Sequence, residues 1–236
     1  MTDILGWLPE LLAAVCVSVL AITLHEAAHG YAALWLGDGT AQRAGRLSLN
    51  PLRHVDRVGT VLVPGVLLVG QLLTLGRVEF MFGWAKPVPV DVRQLRNPRY
   101  GMVLVAAAGP AMNVFLAWCA AMLAHPLQEL SGVIPPDAMQ LGARFIILSI
   151  MANLLLGLFN LLPIPPLDGG RIMVGLLPAR LALPLARLEP AGLVIVMLLI
   201  FVLPRLSPGL DPVGWVAGLA TGPGFRMVLW LAGHGW

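Results

Sequence analysis

The residues best suited to chemistry in this chain lie inside an apolar run, Thr23-Leu24-His25-Glu26-Ala27-Ala28-His29-Gly30. His25 and His29 are four apart, so on a helix they share one face. Two imidazoles so placed can hold one Zn2+ through their ring nitrogens. Glu26 stands beside them, where its carboxylate can take a proton from a water that the metal acidifies. With five His and five Glu among 236 residues, chance placement of His-Glu-x-x-His has an expectation of about 0.002. Ionisable groups inside a membrane segment cost on the order of 3 kcal/mol and are functional by default. The competing reading is three unrelated polar residues lining a bundle.

A catalytic zinc site needs a third protein ligand and leaves a fourth position to water. The stretch Asn160-Leu-Leu-Pro-Ile-Pro-Pro-Leu-Asp168-Gly169-Gly170-Arg171 offers Asp168. Its prolines end a helix, and its glycines let the backbone approach another element closely. By spacing alone, Asp168 reads equally well as a ligand or as the N-cap of a helix over 170–182. Asn113 is a polar amide in an apolar run, after Gly109-Pro110. It suits either a hydrogen bond to a developing oxyanion or substrate carbonyl, or an interhelical bond. His54 sits in a loop, where it could touch the metal, help a proton transfer, or stabilise the loop. His125 and His234 lie at segment ends and read as interfacial.

The elements that must position these groups are membrane segments. The chain is 58% hydrophobic and 11% charged, with a mean hydropathy of +0.84. Soluble domains carry roughly 25% charged residues. A water-soluble globule, a disordered chain and a disulfide scaffold are therefore excluded. An all-α polytopic membrane protein remains, read as one domain over 1–236. Six apolar stretches, roughly 7–36, 58–76, 100–124, 139–163, 188–204 and 212–233, approach or exceed the length needed to cross the bilayer. Cys16 and Cys119 fall in such stretches and read as buried small hydrophobes. The net charge of +3 is too small to suggest nucleic acid.

Two polar connectors, 37–57 and 77–99, read as short interfacial or re-entrant β-strands. Arg46 to Asn50 alternates polar and apolar residues before Asn-Pro, and Val78 to Val92 is extended by its prolines. An exposed edge beside an active site could accept an extended peptide. Arg43, Arg46, Arg53 and Arg57 mark the first connector, and Arg77, Lys86, Arg93, Arg96 and Arg99 the second. Arg171, Arg180 and Arg187 follow the fourth segment, whereas 125–138 carries no Lys or Arg. The positive-inside rule puts the connectors and 164–187 in the cytoplasm, with 125–138 and the N-terminus outside. Stretch 58–76 then cannot change sides. It is read as a hairpin bent at Pro64-Gly65, or as a span whose return is made by 78–92. With this topology the C-terminal ends of the first and fourth segments meet on one side, bringing Asp168 toward His25 and His29.

At these residues the sequence resembles the site-2 protease family of intramembrane zinc metalloproteases. The matching parts are His25-Glu26-Ala-Ala-His29-Gly30, Gly109-Pro110-x-x-Asn113, and Asn160 through Asp168-Gly169. Gly45 to Pro51 and Phe82 to Pro89 are similar to the compact prokaryotic branch, which lacks PDZ and CBS domains. The resemblance implies one zinc per chain on His25, His29 and Asp168, with Glu26 activating water. It implies a catalytic core over about 7–180, built on segments one, three and four, with accessory helices over 188–233. It also implies transmembrane protein substrates cut within the bilayer of the cell membrane. Gly83, Trp84, Ala85, Lys86 and Pro87 are candidates to pair with an extended substrate, and Asn113 and His54 to assist catalysis. Oligomeric state is left open. The same histidines would also fit a zinc transporter, or a pseudoprotease that binds membrane helices without cutting them.

Overall fold

A computed structural model describes residues 8–76, 83–207 and 209–235. Helix α1, Leu8–Trp35, has 28 residues and is about 42 Å long at 1.5 Å per residue. This exceeds the hydrocarbon thickness, so one end must project into the polar interface or into protein. Its burial is graded along its length. Few residues are buried before Ala21, whereas Ala27, Ala28, His29 and Gly30 are all buried in succession. The histidine pair thus sits in the half of α1 that protein surrounds.

The next helical run starts with a wide π-type turn over Arg57–Leu62 and continues as α2, Val63–Leu75. Asp56 caps it, accepting from Val58 N–H and Gly59 N–H. The expected hairpin at Pro64-Gly65 does not form: the helical run continues through both residues, and the Gly59 carbonyl accepts from Trp84 N–H. The alternative, a helix followed by an extended return, agrees with Trp84 lying back beside Gly59. Helix α3, Pro98–Met122, is capped by Asn97. Helix α4 is Pro136–Asn160 and α5 is Asp168–Leu176. Helices α1, α3 and α4 pack mutually, and α5 folds back onto α3.

The seam of this core is written in α3. Gly101, Val105, Gly109, Asn113, Ala117 and Ala121 recur every four residues, and all are buried. Small side chains at that interval let backbones approach without a hydrophobic driving force, which lipid does not supply. Ala117 and Ala121 then meet Ile146, Ile150 and Leu154 of α4 in a core shared with Ala220 and Val228.

Among the described residues, five helical stretches are long and apolar enough to cross a membrane: Leu12–Trp35, Arg57–Thr74, Pro98–Glu129, Pro136–Asn160 and Ala179–Leu206. The sixth expected stretch is helical over Pro212–Leu219 and Phe225–Leu231. Gly222, Pro223, Gly224 and Arg226 dilute its apolar character, and it is not among the five. His125 and His234 stack there at 4.1 Å. They donate to the carbonyls of Ala232 and Ala121 and so tie the C-terminal helix to the end of α3. Cys16 is exposed and Cys119 half-buried, contrary to the reading of both as buried. A residue facing lipid needs no protein cover to escape water.

The connectors form no β-strand among the described residues. Residues 46–49 are irregular, and 83–90 run extended with side chains and loop carbonyls as partners. Period-two patterning needs a partner strand to become a ladder, and here buried polar side chains meet the backbone instead. Asp38, fully buried, accepts from Thr40 N–H at 2.8 Å and Asp91 N–H at 2.7 Å, joining the two connectors. Asp38→Ala leaves both N–H groups unpaired and should cost about 2 kcal/mol. Thermal unfolding in detergent would register this as a lowered Tm, and an unchanged Tm would remove Asp38 from the framework.

Candidate metal centre

The Nε2 atoms of His25 and His29 lie 3.1 Å apart. Asp168 Oδ2 is 3.1 Å from the first and 3.3 Å from the second. His25, His29 and Asp168 are the one group of three potential metal ligands among the described residues, and all three are buried. The other ring nitrogens define what faces inward. His29 Nδ1 lies 2.7 Å from the Val105 carbonyl and His25 Nδ1 lies 2.6 Å from Asn113 Oδ1. Both partners are acceptors, so each Nδ1 carries a proton and each Nε2 presents a lone pair. Asp168 Oδ2 is buried with no hydrogen-bond partner. Three converging lone-pair atoms repel one another unless a cation lies between them. Tetrahedral zinc, with bonds of about 2.0–2.1 Å, separates its ligand atoms by about 3.3 Å. The residues therefore fit zinc.

Asp168 is the first residue of α5, one past its N-cap Leu167, and its carboxylate turns toward the histidines. Gly169 and Gly170 make the turn possible, because a Cβ on either would strike the backbone of Leu161, Leu162, Ile164 or Pro165. Gly109 performs the same service from α3, since a Cβ there would land on the imidazoles of both His25 and His29.

The other sequence candidates separate. Asn113 is fully buried, and both ends of its amide have protein partners. Its Oδ1 faces His25, and its Nδ2 donates to Asn153 Oδ1 at 3.0 Å. Its side chain lies in the helix seam behind His25, and it is not among the residues that line the cleft. His54 stays with the connector: its Nε2 donates to the Ser48 carbonyl at 2.8 Å, and its own carbonyl accepts from Lys86 N–H at 2.8 Å. It is not part of the cleft lining. Trp84, Ala85 and Pro87 line the cleft, a space of ≈ 350 Å³ that also holds His25, Glu26, His29 and Asp168. Gly83 and the exposed Lys86 lie outside it. Gly83 instead borders a second pocket of ≈ 300 Å³ across the Trp84-Ala85 stretch.

Several groups at the site carry little sequence signal. The Val105 carbonyl and the Val88 N–H are backbone atoms; the latter donates to Glu26 Oε2 at 3.0 Å. Asn153 anchors Asn113 and in turn donates to the Ser149 carbonyl. It was visible as a second amide in an apolar run. Asn160 and Arg171 also line the cleft.

A membrane bundle with two helical histidines and an aspartate around a cation-sized gap defines a metalloenzyme type of centre. Residues 126–203 match peptidase family M50. A Bacillus subtilis (strain 168) protein named "Putative zinc metalloprotease YwhC" is 40% identical over 199 residues, covering 84% of each chain. The chain belongs to peptidase family M50, the site-2 protease family. No solved structure matches it.

Adding a methyl at Gly109 tests the geometry without removing a ligand. Gly109→Ala should lower zinc affinity about 10–100-fold, and so should Asn113→Ala, which releases the His25 ring. Competition with a chelator would measure both, and wild-type affinity in Gly109→Ala would contradict the packing described.

Proposed function

We propose that this chain is an intramembrane zinc metalloprotease that hydrolyses peptide bonds in or near transmembrane segments of other membrane proteins. The observation that carries this reading is the convergence of His25 Nε2, His29 Nε2 and Asp168 Oδ2 within 3.1–3.3 Å of one another, with Glu26 on the wall of the same cleft. His25, His29 and Asp168 would hold one zinc ion per chain. When bound, zinc supplies a Lewis acid that acidifies water and polarises a peptide carbonyl.

The chain's own residues supply the rest. Glu26 takes a proton from the attacking water as its oxygen bonds to the carbonyl carbon. The carboxyl then returns that proton to the leaving nitrogen as the C–N bond breaks. One oxygen of Glu26 is held by Val88 N–H, so the base is oriented by the extended segment rather than by its own helix. Val105 and Asn113 keep both imidazole rings turned so that Nε2 faces the ligand gap.

A substrate helix hides its carbonyls in internal hydrogen bonds and must unwind to be cut. The extended stretch 84–88 is organised to receive it. Trp84 N–H bonds the Gly59 carbonyl and Lys86 N–H the His54 carbonyl. The carbonyls of Trp84 and Lys86 accept from Thr60 Oγ1 at 2.8 Å and Arg46 Nη2 at 2.6 Å. Even-numbered residues therefore face the protein. Because extended chains alternate, odd-numbered residues face the other way, and Ala85 N–H and C=O have no partner among the described residues. That edge would pair with an unwound substrate. The basic connectors support a reading with this face in the cytoplasm and the N-terminus outside, in the cell membrane.

Glu26→Gln should keep its zinc while cleavage of a transmembrane reporter falls by about 10²–10⁴-fold. Val88→Pro removes the N–H that holds Glu26, and should lower kcat while leaving zinc content unchanged. Val88→Ala keeps that N–H and should stay near the wild-type rate. Full cleavage by Glu26→Gln would end the assignment of Glu26 as base, and equal loss in both Val88 variants would mean that side-chain packing alone matters there.

A further inference from the structure

A groove of ≈ 740 Å³ adjoins the catalytic cleft. The two spaces share Pro87, Val88, Val90, Met102 and Arg171 in their walls, so the groove lies within reach of a segment bound at the metal centre. Its charged lining residues are Arg99, Arg171 and Glu189, which are not equivalent. Arg99 is engaged with backbone, donating to the carbonyls of Gly175 and Leu177 at 2.7 Å each at the end of α5. Arg171 donates from Nε and Nη2 to one oxygen of Glu189, at 3.2 and 2.8 Å. The side chains of that pair are 39% and 46% exposed. A solvent-facing pair bound through a single oxygen contributes little to stability, so Glu189 exchanges readily for another carboxylate. Arg171 lines both the cleft and the groove, whereas Glu189 lines the groove alone. Arg171 is therefore the charged residue common to both spaces.

Resting on the proteolytic reading above, we propose that this groove binds the flank of the substrate segment, and that Arg171 selects flanks carrying a carboxylate close to the scissile bond. The selectivity follows from two facts. The cytoplasmic flanks of membrane segments are ordinarily rich in Lys and Arg. Two arginines against one glutamate repel such flanks and attract acidic ones, so the groove discriminates partly by rejecting the common case. Glu189 acts as the internal stand-in: it occupies Arg171 until a substrate carboxylate displaces it.

The test separates binding from cleavage. Zinc-loaded, full-length Glu26→Gln protein in detergent is titrated with fluorescent transmembrane peptides that differ only in a Glu, Gln or Lys placed in the flank. The Glu peptide should bind about 5–10-fold more tightly than the Lys peptide. Arg171→Glu in the same background should reverse that order, Arg171→Gln should flatten it, and Glu189→Gln should strengthen binding of the Glu peptide. Equal affinities for the Glu and Lys peptides, or an order unchanged by both Arg171 variants, would overturn the assignment. Cleavage of the Gln peptide by wild-type protein is read in parallel. If no peptide is cut, the proteolytic reading fails; the flank preference is still decided by the titration.

Discussion

Three electron-rich atoms from two distant parts of the chain are held within 3.3 Å in a buried site. Mutual repulsion of that kind is costly in a low-dielectric interior unless a cation is present. Much of the architecture can be understood as what is needed to impose it. The four-residue stripe of small side chains in α3 brings α1 and α4 close enough for their side chains to meet. Gly109 clears room for both imidazoles, and Gly169 and Gly170 allow the turn that aims Asp168. The Val105 carbonyl and the Asn113–Asn153 pair fix the ring tautomers from behind.

The second constraint is that Glu26, the proposed base, and residues 84–88, the proposed substrate-facing edge, form one hydrogen-bonded unit. Arg46, Gly59, Thr60 and the His54 carbonyl clamp one edge of residues 84–86, and the next N–H on that edge, at Val88, holds Glu26. Loop 46–60 lies outside the His25-His29-Asp168 group, yet through residues 84–88 it sets where Glu26 points. This accounts for the concentration of polar side chains in a connector beside otherwise apolar helices.

Periodicity and residue type made part of this legible beforehand. The i, i+4 histidines need only helical geometry to share a face, with Glu26 next to them in the chain, and α1 provides it. The convergence of Asp168 was accessible through charge bias, because basic loops orient the segments and orientation decides which ends meet. Asn113 was legible as a polar residue in a seam, but not its role, since that depends on which partner each end of the amide finds. The strand reading of 46–50 and 78–92 failed for its described part because alternation cannot reveal that side chains rather than a second strand will meet the backbone. Cys16 was misplaced because lipid removes the link between apolar character and burial inside protein. Backbone atoms such as Val105 O and Val88 N–H leave no trace in a sequence.

Zinc bound per chain, measured on purified wild type and Asp168→Ala with matched thermal unfolding, tests the central claim most directly. About one zinc in the wild type, largely lost in the variant while the fold persists, is the result that a His25-His29-Asp168 centre requires. Equal zinc in both proteins, or none in a wild type supplied with zinc, would contradict it.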